Sequence, residues 1–309
     1  MTKYIVRRAL GIIPTLLIII TLSFFIIRIA PGGPFDTERA IPAEIMRNIE
    51  KKYHLDEPLL KQYGRYMLDI LRLDFGPSFR YNDHDVNYFI LHSLPNSLIL
   101  GSISLFIAVT FGLAVGMISA ARQNSWVDYS AMSVAVFGIT VPLFVVGPVL
   151  MYIFALKLHW LPTSGWITGQ YGWKTLIMPA FTLALPYFAY TARLSRASIL
   201  EILRSDYVRT ARAKGLEELV VMFKHVLKGG LLPVVSYLGP AFAGIVTGSV
   251  VIERIFRIPG LGQFFVQAAF NRDYTLLMGT VIVYSVILIL MNFVVDIVYG
   301  FLDPRISYR

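Results

Sequence analysis

Apolar runs alternate with polar stretches along the whole chain, and six of the runs have the length of bilayer-crossing helices. They cover Ala9 to Ile27, Ser97 to Ala120, Ser130 to Leu156, Thr175 to Ala192, Leu231 to Ile252 and Leu276 to Phe301. A helix rises about 1.5 Å per residue, so each run approaches or exceeds a hydrocarbon core of roughly 30 Å. The first run follows Lys3, Arg7 and Arg8 and ends at Arg28 without a small-x-small cleavage site. It is longer than the apolar region of a signal peptide, which predicts an uncleaved anchor. The five later runs carry Gly, Ser, Thr or Pro inside them, residues that permit close packing and kinks in lipid. Pro142 and Pro148 fall in the third run; Pro240 and the pair Gly244-x-x-x-Gly248, read here as packing, fall in the fifth.

Two polar stretches interrupt this pattern. Residues 31–94 hold ten acids and eight bases. Within them Ala43 to Tyr53 and Glu57 to Leu73 predict amphipathic helices begun by Pro42 and Pro58, before a turn at Asp74 to Phe79. The expectation is a small soluble insertion whose thin core packs on the membrane part. The second stretch runs from Ser205 to Lys228. Ser205 can cap a short helix, Asp206 suits its positive end, and Gly215 can end it in a left-handed turn. Between them Thr210, Ala211 and Ala213 alternate with Arg209, Arg212 and Lys214. Small residues among cations suit either a solvated basic loop or a close electrostatic contact with another protein. A following helix is apolar at Leu219, Met222, Phe223, Val226 and Leu227, and Glu218 falls outside the expected contact.

Composition narrows the class. The chain is 56% hydrophobic with a mean hydropathy of +0.64 and only 15% charged residues, against about 25% in soluble domains. Its net charge of +9 sits beside apolar spans, which points to a membrane surface and an acidic protein partner and away from nucleic acid. Cysteine is absent, which excludes disulfides, thiol nucleophiles and Cys-ligated metals. Basic residues also orient the spans. Lys3, Arg7, Arg8, Arg122, the cluster from Arg193 to Lys228, Arg305 and Arg309 fall on one side; Lys157, Lys174, Arg254, Arg257 and Arg272 fall on the other. The positive-inside rule therefore puts both termini and the 193–230 loop in the cytoplasm, and residues 31–94 outside.

Several separated motifs resemble one family. Tyr207-Val208-Arg209-Thr210-Ala211-Arg212-Ala213-Lys214-Gly215 is similar to the loop motif of binding-protein-dependent ABC importer permeases, in the peptide and nickel branch. Arg209, Thr210 and Ala211 stand where the general motif has Glu-Ala-Ala, and Leu232-Pro233 comes later than the general Leu-Pro. Arg28-Ile29-Ala30-Pro31-Gly32-Gly33-Pro34, Asp74 to Phe79, Gly248 to Gln263, Asn271-Arg272-Asp273-Tyr274 and Asp303-Pro304-Arg305 extend the likeness nearly end to end. The resemblance implies an all-α, six-span type I ABC importer permease fold in a bacterial inner membrane. Its parts would be residues 1–30 (tail and first span), 31–94 (periplasmic helical insertion), 95–302 (transport core) and 303–309 (tail). It also implies a second permease chain, two ATPase subunits holding ATP and Mg, a soluble or lipid-anchored peptide-binding protein and a peptide substrate. Arg209 to Gly215 would couple to the ATPase, and Pro259, Gly260, Arg272 and Asp273 would face the binding protein.

No chemistry of an enzyme is legible. Gly169-Gln-Tyr-Gly-Trp-Lys-Thr spaces its glycine and lysine wrongly for a phosphate-cradling loop, so ATP belongs to a partner. The five histidines are scattered, and no His-Glu-x-x-His occurs. Asp296 is the one acid clearly inside an apolar run, with Asn292 a turn earlier on the same face. A carboxylate there suits a structural pair with an arginine or helix end, or a part in transport. Two other classes stay open: an ion-coupled carrier, for which no inverted repeat is visible, and an assembly factor, which has no need of kinked, glycine-rich spans.

Overall fold

The structure, a computed structural model, describes residues 2–29, 33, 35, 43–81 and 83–302. Pro42, most of the Ala30 to Pro34 motif, and the 303–309 tail with Asp303-Pro304-Arg305 and Arg309 lie outside the described residues. Helix α1 (Thr2–Ile29) leads to the short α2 (Ala43–Lys52) and α3 (Leu59–Leu71). The long α4 (Val86–Ala121) precedes α5 (Trp126–Thr140) and α6 (Leu143–Lys157). Next come α7 (Lys174–Leu203), α8 (Asp206–Ala213) and α9 (Glu218–Gly230). The chain closes with α10 (Leu232–Gly248), α11 (Val250–Phe256), α12 (Leu261–Asn271) and α13 (Tyr274–Leu302). Among the described residues regular structure is helical, apart from one isolated bridge between Pro77 and Asp85.

Among the described residues four helices are individually long and apolar enough to cross a membrane: α1, α4, α7 and α13. The number reaches six if α5 with α6, and α9 with α10, each count as one bent span. The third apolar run is therefore not a straight helix, because α5 and α6 meet at 103°. Proline has no N–H and forces the preceding residue out of the helical region, and Val141 before Pro142 is extended at φ −84°, ψ 123°. The fifth run also divides: α10 stops at Gly248, and α11 restarts after Ser249. Two other helices outrun their apolar cores. α4 begins at Val86, within the polar stretch, and α7 continues past Ala192 to Leu203, burying Ser195, Ser198 and Ile199 on one face.

The core is built on α4 and α7, which pack lengthwise through small residues. A Cβ at Gly116 would lie 1.9 Å from Ser195 Oγ and 2.6 Å from the Ala192 carbonyl, and one at Gly112 would meet Thr191 at 2.8 Å. Only glycine lets the two backbones approach so far. α10 crosses α4 at Gly101, and Leu100, Leu183, Ile245, Ile252 and Phe256 close the centre. α13 leans on α10, where Gly239 rests against Asn292, and α1 packs on α13 from outside.

Candidate functional site

The basic stretch forms one end of the bundle. Ser205 takes the extended N-cap conformation before α8, but its hydroxyl donates back to the Ile202 carbonyl at 2.6 Å and accepts nothing from α8. Gly215 ends the turn at φ +76°, the left-handed geometry its sequence position predicts. Inward, Val208 and Ala211 pack with Ala120, Ile199, Val221 and Val226. The small side chain of Ala211 therefore serves this chain's own packing and is not presented to another surface. Arg209, Thr210, Ala213, Lys214 and Gly215 are exposed. Arg212 is exposed too, but Glu218 accepts from its Nε at 3.1 Å and from a terminal nitrogen at 2.5 Å, which raises its already high pKa. Glu218 is thus part of this surface and not a bystander.

The helix after Gly215 buries Val221, Met222 and Val226, while Leu219 and Phe223 are 69% and 57% exposed. Wide i→i+5 turns through Val221–Val226 move the buried face off the 3.6-residue spacing that the apolar pattern follows. Just above this end lies a polar clasp that the sequence did not disclose. Asp128, 2% exposed, accepts from Arg196 Nε and a terminal nitrogen, both at 2.7 Å, from Asn124 N–H at 2.9 Å and from Ser119 Oγ. One carboxylate joins the end of α4, the following loop, α5 and α7. The only hint is a single acid three residues after Ser125, the Asp of an N-terminal helical turn whose cap Ser125 Oγ receives Asp128 N–H.

Asp296 faces α1, where a terminal nitrogen of Arg8 lies 3.0 Å from its carboxylate. The structural pairing with an arginine is realised, in a half-open setting with Arg8 54% and Asp296 22% exposed.

At the opposite end the insertion, α11, α12 and the start of α13 come together. Asp273 is buried; it accepts from Phe79 N–H at 3.2 Å, Leu276 N–H at 3.2 Å and Ser78 Oγ. Thr275 Oγ1 donates to the Pro77 carbonyl at 2.7 Å, and Arg80 Nε to that of Asn271 at 2.9 Å. Arg272 and Pro259 are exposed, whereas Gly260 and Asp273 are internal. Gly260 is internal because it lids Glu253, a fully buried carboxylate: a Cβ there would fall 2.2 Å from the Glu253 Cδ. Glu253 accepts from Ser97 Oγ at 2.7 Å, Ser249 Oγ at 2.6 Å and Gln263 N–H at 3.3 Å, and Ser97 accepts from Leu261 N–H at 2.9 Å. The acid closing an apolar run before Pro259-Gly260-Leu261-Gly262 was the available signal. Among the described residues no group of three or more His, Asp or Glu side chains could hold a metal.

Comparison with known proteins places this architecture. Residues 112–308 match the family "Binding-protein-dependent transport system inner membrane component", and residues 1–101 match its membrane component N-terminal family. The chain is 49% identical over 308 residues to the oligopeptide transport system permease protein OppB of Escherichia coli K12, covering 100% of both. It is 43% identical to the dipeptide transport system permease protein DppB of Bacillus subtilis, covering 99% of this chain and 98% of the relative. Among solved structures, the inward-facing MetNI methionine ABC transporter matches with a TM-score of 0.56 at 18% identity, over 70% of this chain and 97% of that one. With nearly the whole length matched in two blocks, the chain belongs to the binding-protein-dependent transport system inner membrane component family.

Proposed function

We propose that this chain is one of two permease subunits of an ATP-driven oligopeptide importer. The observation that carries the substrate class is its end-to-end likeness to oligopeptide permeases, with no insertion or truncation large enough to reduce coverage of either chain. Counting the two bent pairs as spans gives six, with both termini and the 193–230 loop cytoplasmic and residues 31–94 periplasmic. Two partner ATPases bind ATP and Mg and hydrolyse the ATP, a peptide-binding protein delivers peptide to the α11–α12 end, and a second permease completes the pathway. The exposed ridge of α8, formed by Arg209, Thr210, Arg212, Ala213 and Lys214, seats on the ATPase. Ala211 supports that ridge from beneath.

The test combines direction and energy source. The chain has no cysteine, so a single one reports topology against a silent background. Gly169→Cys should react with an impermeant thiol reagent from outside intact cells, and Glu217→Cys should not. Reconstituted with its partners, the complex should take up short peptides with ATP on the cytoplasmic side and continue when the proton gradient is collapsed. Uptake abolished by a protonophore at constant ATP would favour an ion-coupled carrier, and labelling of Glu217→Cys in sealed cells would overturn the orientation.

A further inference from the structure

We propose that α3 lies in the lipid boundary beside α1, so that the insertion is anchored in the bilayer and does not stand in water. The helix divides into three stripes at its 100° per residue. One faces the chain: Gln62 accepts from Arg28 Nε at 3.1 Å, Tyr63 shares a 2.7 Å hydrogen bond with Thr21 and stacks on Phe25, and Tyr66 meets Phe24. A second is polar, with Lys61 and Arg65 paired to Glu57, and Asp69 beyond them. The third is Leu60, Leu68 and Leu71, which share a face at spacings of eight and three and are 77%, 57% and 77% exposed. Among the described residues nothing covers them.

Depth decides what does. The Tyr63 partner Thr21 precedes Ile29, the last residue of α1, by eight residues, or about 12 Å along the helix. The membrane-crossing part of α1 runs from Ile5 to Ile29, with Arg28 at its edge. α3 is thus held beside the hydrophobic part of a spanning helix, below the level at which a soluble partner could dock. Interfacial helices bury their apolar face by about 5–10 Å, a comparable depth. The neighbouring surface of α1 is of the same kind: Leu22 and Ile26, one position beyond the α3-contacting Thr21 and Phe25, are 54% and 64% exposed. The leucine stripe therefore continues a lipid-facing surface. Lys61, Arg65 and Asp69 beside it suit charged headgroups more than the interior of a membrane protein interface. Arg28 also fits a membrane edge, its guanidinium folded 3.6 Å over the Phe24 ring. This inference rests on the family's membrane location and holds whichever peptide is carried.

The assembled transporter, in proteoliposomes, provides the test. A bimane label on Leu68→Cys or Leu71→Cys should be quenched several-fold more by lipids with a nitroxide high on the acyl chain than the same label on Arg65→Cys. Aqueous iodide should reverse that order. Leu60→Cys serves as a second site should one leucine variant fail to assemble. Quenching of the leucine sites by iodide alone would put α3 in water and overturn the proposal. Protection from both quenchers would overturn it in favour of a protein interface with the second permease.

Discussion

Asp128→Asn isolates the clasp that joins α4, α5 and α7. The substitution preserves shape but removes the charge that receives both Arg196 nitrogens at 2.7 Å, and it sets an amide donor against donors. Breaking a buried ion pair by removing one partner costs about 3–5 kcal/mol. Arg196 retains 26% exposure and can recover some hydration, which puts Asp128→Asn near the lower limit. Arg196→Met strands the more buried carboxylate, at 2% exposure, and should approach the upper one. Because both changes remove one interaction, the double variant should cost less than their sum by at least about 1.5 kcal/mol. Denaturation of the purified complex in detergent, followed by loss of helical signal, gives the three differences, provided unfolding is reversible. Transport per assembled complex at low temperature should stay near wild type, since the pair holds structure. Single effects within about 0.5 kcal/mol that simply add would refute the clasp as a stabilising element.

Three further outcomes follow from the geometry. Gly260→Ala sets a methyl against the buried Glu253 carboxylate and should destabilise by about 1–3 kcal/mol, measured as a lower melting temperature of the complex; Pro259→Ala, at an exposed neighbour, should not. Asp296→Asn removes a half-open ion pair of about 0–1 kcal/mol, so the protein should accumulate and assemble normally with transport reduced less than tenfold; an assembled complex with no transport would give Asp296 a part in mechanism. Ala211→Trp overpacks the cluster beneath α8 and should reduce accumulation of this chain even when it is expressed without the ATPases; a defect seen only with the ATPases present would return Ala211 to the contact surface.

What the sequence conveyed and what it withheld divide along physical lines. The apolar runs gave helices because twenty uncharged residues have few other stable forms in lipid. Gly215 was legible because a left-handed residue ends a helix by local rules alone. Ser205 was legible in backbone and not in bonding, because a serine hydroxyl can accept from a first-turn N–H or donate to the carbonyl three residues back, and here it donates to Ile202. The role of Ala211 was misplaced for a different reason: smallness signals close approach without saying by whom, and the neighbour proved to be α9 of the same chain. Glu218 and Arg212 are six residues apart across a turn, a separation that only the conformation of Gly215 brings to 2.5 Å. Asp128 with Arg196, and Ser78 with Asp273, are separated by 68 and 195 positions, and no periodicity reports such pairs. The family motif at 248–263 was recognisable as text, but its physical content, glycines lidding a buried carboxylate, required the fold.

The two ends of the molecule are joined by the same pair of helices. Near α8, α4 contributes Ala120 and α7 contributes Ile199 to the cluster that holds Val208 and Ala211. At the other end α4 offers Ser97 to Glu253 and Leu261, and Leu183 of α7 shares a core with Ile252 and Phe256. From Ser97 to Ala120, α4 spans about 35 Å. Between those points Gly112 and Gly116 bring its backbone against α7 so closely that no side chain can rearrange to absorb a displacement. The ladder of helical hydrogen bonds is interrupted elsewhere, at Val141–Pro142, at Leu231 between α9 and α10, and around Ser249, which leaves bending to those places. On the proposed reading, a push entering through α8 therefore moves α4 and α7 as one body. Its effect at the far end is a rotation of α11 and α12, with Glu253, about the break at Ser249.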